Sequence, residues 1–241
     1  MKRFSWWVIV AFLGSPAFAE DPPPPSPTPA ENQTQQQQID QMAVLLQQHR
    51  LPDALALLDQ LNELADKKIA AAAPAQVYTA RTQTESLLYL VQAANAKTPA
   101  VVFSWVWSQG YFFKGYLLNE MGRMDEAQTY LAHALAMAPM NSQYLLELGN
   151  LHIKQHNFDA ALADFHKGEE AAKVYAPDGF KNPDLGKAWR GIGYVLVEQN
   201  KLNEAEKIYQ QCLELDHNDQ RAANELKYVQ AQKAKAAGAH P

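Results

Sequence analysis

The chain has 241 residues, of which 47% are hydrophobic, and it carries one cysteine and a formal net charge of −5 at pH 7. This composition is that of a globular protein with enough apolar side chains for a sizeable core. The acidic balance disfavours nucleic acid and anionic membrane surfaces as partners, and a single cysteine excludes an intrachain disulfide.

Residues 1–19 have the pattern of a secretory signal peptide. A basic start, Met1-Lys2-Arg3, precedes an apolar run from Phe4 to Leu13, and Ala17-Phe18-Ala19 supplies the small residues that signal peptidase accepts. The alternative is an uncleaved membrane anchor, but the run is well short of the ~20 residues that span a bilayer. We therefore expect cleavage after Ala19 and a periplasmic or secreted protein with no transmembrane segment after cleavage.

Residues 20–38 are rich in proline and glutamine. Prolines occupy 22–25 and return at Pro27 and Pro29, and glutamines fill 35–38. Such a segment buries too little apolar area to offset the entropy lost on ordering. It predicts a flexible, disordered linker.

Residues 39–98 predict the N-terminal helices. Apolar residues recur with helical spacing from Ile39, and the stretch Arg50-Leu51-Pro52-Asp53-Ala54 echoes Arg123-Met124-Asp125-Glu126-Ala127. This echo suggests a degenerate copy of the repeat described below. One long helix is predicted from Pro74 to about Ala96, and Thr98 with Pro99 would begin the next helix.

The most apolar part of the remaining chain is the aromatic segment, residues 101–107. It has two interpretations. Buried, it would join the N-terminal helices to the repeats; exposed, it would bind a partner or a membrane surface. The first is favoured because contiguous exposed aromatic residues are rare.

Between Ser108 and Asp219 a pattern of two signatures occurs three times. The first signature reads Tyr111-x2-Lys114-Gly115-x2-Leu118, Leu145-x2-Leu148-Gly149-x2-His152 and Trp189-x2-Ile192-Gly193-x2-Leu196. The second signature reads Ala127-x3-Leu131, Ala161-x3-Phe165 and Ala205-x3-Tyr209. Both signatures step by 34 and then by 44 residues. This shared spacing indicates a repeated helix pair.

Details between and after the copies refine the pattern. Asp125, Asp159 and Asn203 are suited to cap the second helix of each pair. The ten additional residues between copies two and three, 176–185, include prolines and glycine and predict a loop. Residues 220–235 predict a helix that caps the array, and 236–241 a frayed tail.

These residues resemble the tetratricopeptide repeat (TPR) family, whose pattern is W-x2-L-G-x2-Y, then A-x3-F, then P. The resemblance implies an all-α fold: a right-handed TPR-like superhelical solenoid of antiparallel helix pairs, with its capping helix, over residues 99–235. The sequence departs from the pattern at three places. Lys114 replaces an aliphatic residue, Gly168 replaces the usual alanine, and copies two and three lack the closing proline.

In this family the first helices of the pairs line a concave groove that holds an extended or helical peptide. The resemblance therefore implies a non-enzymatic protein–protein interaction scaffold, here for a protein or peptide partner in the cell envelope. The groove positions that match are Gln109, Phe112, Tyr116, Asn119, Gln143, Leu146, Asn150, Lys187, Arg190 and Tyr194.

Some members of the family clamp the terminal carboxylate of a partner with lysines, asparagines and an arginine. Only Lys187 fits that clamp. Phe112 and Tyr116 stand where it needs lysine and asparagine, Glu147 where it needs asparagine, and Gly191 where it needs arginine. We therefore do not expect this clamp.

No motif predicts catalysis, a cofactor or a metal site. His152 and His156 have metal-ligand spacing, but no third ligand is evident and His152 fills a packing slot, so a structural role is favoured. Cys212 shares the slot of Ala134 and Gly168, which predicts a small core residue. The alternative function is a structural or membrane-surface-associated envelope assembly protein acting through the aromatic segment.

Overall fold

The structure is a computed structural model and describes residues 26–238, so the predicted signal peptide lies outside the described residues. Within this range there are ten helices and two strands. Their bounds are α1 Pro29–Gln47, α2 Leu51–Ala71, β1 Gln76–Ala80, α3 Gln83–Asn95, β2 Ala100–Ser104, α4 Val106–Glu120, α5 Met124–Met137, α6 Ser142–Lys154, α7 Phe158–Val174, α8 Asp178–Glu198, α9 Leu202–Leu215 and α10 Gln220–Gly238.

Eight helices form four consecutive pairs, α1/α2, α4/α5, α6/α7 and α8/α9, and α10 packs on α9 at the end of the array. The turn inside each pair contains one residue with a left-handed backbone; these are His49, Gly122, His156 and Asn200, with φ between 55° and 75°. The signature alanines of the three copies are fully buried, and Ala54 is buried in the same way. The all-α solenoid is confirmed, and α1/α2 has the features expected of a degenerate copy.

The signature glycines allow the two helices of a pair to approach closely. A methyl group added at Gly149 would lie 2.9 Å from the ring of Phe165, and one at Gly193 would lie 2.6 Å from the ring of Tyr209. Protein interiors are too densely packed to accept such contacts without displacement. The glycine of one signature therefore fits the aromatic residue of the other.

The contacts of Lys114 explain why a lysine can replace the usual aliphatic residue at this position. Its side chain is largely buried, and its ammonium group pairs with Asp59 of α2. The same group lies 4.4 Å from the centroid of the Tyr130 ring. The long side chain thus packs in an aliphatic slot while its charge binds a carboxylate and an aromatic face.

The linker prediction is wrong from Pro29 onward, because α1 begins there. Thr28 and Glu31 form a capping box, in which each side chain accepts a hydrogen bond from the other residue's backbone N–H, at 3.2 and 2.8 Å. Proline is tolerated in a first turn, and glutamine is a good helix former. Gln35 and Ile39 are buried, and α1 contacts α2 and α4. This tertiary packing orders a segment whose composition alone predicts disorder.

The long helix predicted from Pro74 to Ala96 is also wrong. The chain instead forms a β1-α3-β2 insert between the first and second helix pairs, in which the strands run parallel from Gln76↔Ala100 to Ala80↔Ser104. α3 begins only after Thr82, whose side chain accepts a hydrogen bond from the Glu85 N–H. Thr98 and Pro99 precede β2 rather than a helix.

In the aromatic segment three residues are buried and the other four are half-buried, which agrees with the favoured interpretation. Phe103, Val106 and Trp107 are 3%, 4% and 1% exposed. They join a core with Val77 and Tyr144, so β2 and the start of α4 connect the insert to the repeats. The segment therefore does not present the exposed patch that the alternative of membrane binding requires.

The loop predicted at residues 176–185 is wrong as well. α7 ends at Val174, and α8 begins at Asp178 and includes Pro183 in its second turn. Pro183 lies inside the helix, beyond the first four positions whose N–H groups lack a helical acceptor, so it removes one helical hydrogen bond that tertiary contacts must offset. The α8 extension, residues 178–185, is held by the Ser142 hydroxyl, which donates to Asp184 at 2.6 Å.

The predicted N-caps lie two residues too late. The second helices of the three copies follow Arg123, Asn157 and Lys201, and only Asn157 caps with its side chain, accepting from the Ala160 N–H at 3.3 Å. Asp125 and Asp159 lie in the first turn, where a carboxylate interacts favourably with the positive end of the helix dipole. No helix within residues 26–238 is long and apolar enough to cross a membrane.

Candidate peptide-binding groove

The inner helices α4, α6 and α8 carry all ten predicted groove residues, but three of these are not on a surface. Gln109, Asn119 and Leu146 are 6%, 1% and 0% exposed, so their assignment to an open groove is wrong. Leu146 packs against Gly168 of α7. The Asn119 amide donates to Glu147 of the next inner helix at 2.8 Å. Leu146 also belongs to a core with Ala188 and Ile192 of α8, so Leu146 and Asn119 fill the space between neighbouring pairs.

Three predicted residues lie along the first half of the groove. Phe112 is half-buried and stacks on Tyr144, with ring centroids 4.7 Å apart, so it belongs mainly to the contact between two pairs. Gln143 is half-buried, and Tyr116 is 39% exposed. The structure does not bring these three side chains together in one cavity with the others.

The remaining four predicted residues meet in one cavity, of about 360 Å³, between α6, α8 and α10. They are Asn150, Lys187, Arg190 and Tyr194. Ile153, Gly191, Tyr209, Arg221 and Glu225 complete the lining. Sequence reasoning missed Arg221 and Glu225 because α10 was treated only as a cap. Their i, i+4 spacing on a helix packed beside the last inner helix is the signal that could have found them.

A chain of polar groups connects the inner helices beneath this cavity. The Glu147 side chain is 2% exposed and accepts hydrogen bonds from Asn119 and, at 3.3 Å, from the Asn150 amide. The Lys187 ammonium lies 3.6 Å from the same carboxylate, with its side chain 41% exposed. Asn150 and Lys187 are therefore oriented by Glu147 while they still face the cavity.

Arg190 is occupied by a structural contact. Its guanidinium pairs with Asp219, and the other oxygen of Asp219 accepts from the Ala222 N–H at 3.1 Å in the first turn of α10. Arg190 thus ties α8 to α10. Arg221 is exposed and forms no ion pair with any residue from 26 to 238.

Tyr209 belongs to the lining of this cavity, although its side chain is buried. It is fully buried, and its hydroxyl has no hydrogen-bond partner in the described part of the chain. Burial, with a smaller contribution from Glu225, raises its pKa, so the group remains a neutral donor at physiological pH. The other copies place Leu131 and Phe165 in this slot, so this hydroxyl is particular to the third copy.

The two irregular parts of the solenoid meet at the start of α6. Arg81, after β1, forms a buried ion pair with Glu85 at 2.8 Å and donates to the Ser142 hydroxyl at 3.2 Å. Ser142 in turn donates to Asp184 of the α8 extension. Burial raises the pKa of Asp184, and Arg81 opposes that rise. The insert and the extension therefore brace the same inner helix.

His152 and His156 have separate structural surroundings. His152 pairs with Asp164 of α7 at 2.7 Å, and His156 lies in the turn that follows. Residues 26–238 contain no group of three or more His, Cys, Asp or Glu side chains placed to hold a metal ion. Cys212 is 1% exposed, and burial raises the pKa of its thiol to about 12, in keeping with a core residue.

These features define a class of protein: a helical-repeat solenoid whose inner helices present a concave surface. The family profile of the tetratricopeptide repeat matches residues 108–141 and 186–219, which correspond to the first and third copies. The chain therefore contains tetratricopeptide repeats within an all-α, TPR-like fold. No curated protein matches it.

Several solved structures are similar to this chain. One, described as a functional characterisation of Pseudomonas aeruginosa pilF, is 12% identical, with a TM-score of 0.57 over 85% of this chain and 71% of that one. MamA MSR-1 C2 is 18% identical, with a TM-score of 0.49 over 86% and 91%. The first TPR of Spaghetti (RPAP3), bound to HSP90 peptide SRMEEVD, is 24% identical, with a TM-score of 0.46 over 53% and 93%. At 12% identity the likeness to the first of these structures shows the fold alone.

Proposed function

We propose that the protein is a non-enzymatic scaffold that binds a peptide or helix of a protein partner in its concave groove. The observation that carries this proposal is the cavity between α6, α8 and α10. It combines an apolar and aromatic lining, from Ile153 and Tyr194, with the hydrogen-bond donors of Lys187 and Arg221. Such a mixture suits a segment whose apolar side chain enters the cavity while its oxygen atoms accept hydrogen bonds.

The proposed site of action is the bacterial cell envelope. This part rests on the signal-peptide pattern of residues 1–19. Mass spectrometry of the protein from a periplasmic fraction should show a mature chain that begins at Glu20. A chain that keeps Met1 to Ala19 and stays in the cytoplasm would refute it.

The groove is tested by selection from a random-peptide display library on the immobilised protein. We expect the wild type to enrich peptides that share an apolar residue beside acceptor groups, and Tyr194→Ala to lose them. Tyr228→Ala is the matched control, because Tyr228 is also exposed, at 50%, but lies outside this cavity. Equal enrichment by Tyr194→Ala and the wild type would contradict the groove assignment.

A further inference from the structure

Helix α3 of the insert has two apolar faces. Glu85, Tyr89 and Ala93 form one face and are buried, and the helix packs on β1 and β2. Leu87 and Leu90 belong to the other face and are 64% and 42% exposed. At about 100° per residue, Leu90 lies about 100° and Leu87 about 160° around the helix from Tyr89, so both leave the buried face.

Val91, 48% exposed, and Ala94 complete this outer stripe, which consists of Leu87, Leu90, Val91 and Ala94. The other exposed leucine and valine residues of the described chain are Val44, Leu64 and Val174. Each of those lies alone on its helix. Isolated exposed apolar residues are normal, whereas a contiguous stripe marks an interaction surface.

The charge of α3 restricts the partner. Its one charged residue is Glu85, which is buried and paired with Arg81. The outer stripe is bordered by uncharged residues such as Gln83 and Gln92. α3 has no lysine or arginine, so its binding to a lipid surface would gain no electrostatic attraction. Two copies of an acidic protein, in contrast, can meet at this neutral face without opposing like charges.

We infer that α3 pairs antiparallel with α3 of a second copy, about a two-fold axis that passes between Leu90 and Val91. This axis sets Leu90 against Val91 of the second copy and Leu87 against Ala94. Each contact then occurs twice, as an isologous interface requires. Each larger side chain also meets a smaller one, which is how ridges of one helix fit grooves of another.

The size of the surface sets the strength of the dimer. A helix of 13 residues is about 20 Å long. An interface built on it falls below the ~800 Å² per partner of a standard stable complex. The dimer therefore dissociates on dilution, with a dissociation constant in roughly the micromolar range.

Sedimentation velocity on the purified protein across a concentration series tests this pairing. The weight-average mass of the wild type should rise from monomer towards dimer, and Val91→Glu should remain monomeric at every concentration. Val44→Glu is the matched control, since Val44 is 47% exposed on α1 and makes the same chemical change outside the stripe. The control should dimerise like the wild type, and both variants should keep the wild-type unfolding midpoint.

The register has its own readout. Cys212 is the one native cysteine and is buried, so an introduced surface cysteine provides the reactive thiol. A mixture of Leu87→Cys and Ala94→Cys proteins should form mixed disulfides faster than either protein alone forms homodisulfides. A wild type that stays monomeric, or a Val91→Glu variant that still dimerises, overturns the inference. Flotation of the wild type on zwitterionic vesicles, lost in Val91→Glu, would assign the stripe to lipid and also overturn it.

Discussion

Replacing Arg81 by methionine should cost about 3–5 kcal/mol of unfolding free energy, because it strands a buried carboxylate. The side chains of Arg81 and Glu85 are 3% and 1% exposed. Two guanidinium nitrogens of Arg81 donate to Glu85, and a third donates to Ser142. Without them Glu85 keeps mainly the Arg81 backbone N–H, at 2.6 Å, and Asp184 loses one of the two cations that act on it, Arg81 and Lys187.

The double variant Arg81→Met, Glu85→Leu separates this cause from lost packing. Replacing both members of a buried pair by apolar residues removes the stranded charge, so most of the lost stability should return. The matched control is Arg123→Met, whose pair with Glu126 has side chains 46% and 53% exposed. An exposed pair contributes only ~0–1 kcal/mol.

Urea unfolding followed by circular dichroism measures all four proteins under one condition. Two results would refute the reasoning. One is a loss in Arg81→Met no larger than in the control. The other is a double variant as unstable as the single one, which would show that Arg81 acts through its packing and the Ser142 contact rather than its charge.

Three further predictions follow from single contacts. Gly149→Ala should lower the free energy of unfolding by about 1–3 kcal/mol through overpacking. Gly179 lies in a helix with open space around it, so Gly179→Ala should raise that free energy by up to ~1 kcal/mol. The reverse order in urea unfolding would contradict both expectations. Lys68 and the capping contacts lower the pKa of Glu31 from 4.5 to about 2, so ionised Glu31 should stabilise the fold above pH 4.5 and lose this effect as the pH falls towards 2. The difference in unfolding free energy between the wild type and Glu31→Gln should therefore shrink over that pH range. A difference that stays constant would contradict the prediction. Tyr209→Phe should keep or slightly raise stability, by up to ~1 kcal/mol, because the hydroxyl that it removes is buried without a hydrogen-bond partner among residues 26–238. A clear loss of stability in urea unfolding would contradict this.

The sequence predicts the repeated helix pairs well because their signatures report local packing. A glycine such as Gly149 and its aromatic partner Phe165 lie in neighbouring helices joined by a short turn. Their spacing in the chain therefore reflects their contact in space. The same reasoning places Ala54 in a fourth, weaker copy.

The insert and the α8 extension could not be predicted in the same way, because contacts distant in sequence decide them. β1 becomes a strand by pairing with β2, 24 residues further along, as in Gln76↔Ala100. Residues 178–185 become helix although they contain Pro183, and Asp184 then reaches Ser142. Local turn signals compete with such tertiary contacts and here are overridden.

The sequence predicts only part of the lining of the groove, because contacts between pairs are again not visible in the local pattern. Helical spacing identifies which side of an inner helix faces inward, and Asn150, Lys187 and Tyr194 from that side line one cavity. It does not report how closely the next pair approaches. Leu146 and Asn119 occupy inward positions that the neighbouring pair covers.

Side-chain contacts hold the helices around the cavity in place. α6 and α8 are joined at one end by Ser142 and Asp184, further along by Glu147 and Lys187, and α8 is joined to α10 by Arg190 and Asp219. Helices fixed at several points lose little further entropy when a ligand binds, which favours affinity. Because Arg190 is one of these joining residues, the cations left to meet a ligand are Lys187 and Arg221. Specificity should therefore reside in the third copy and the capping helix rather than along the whole groove.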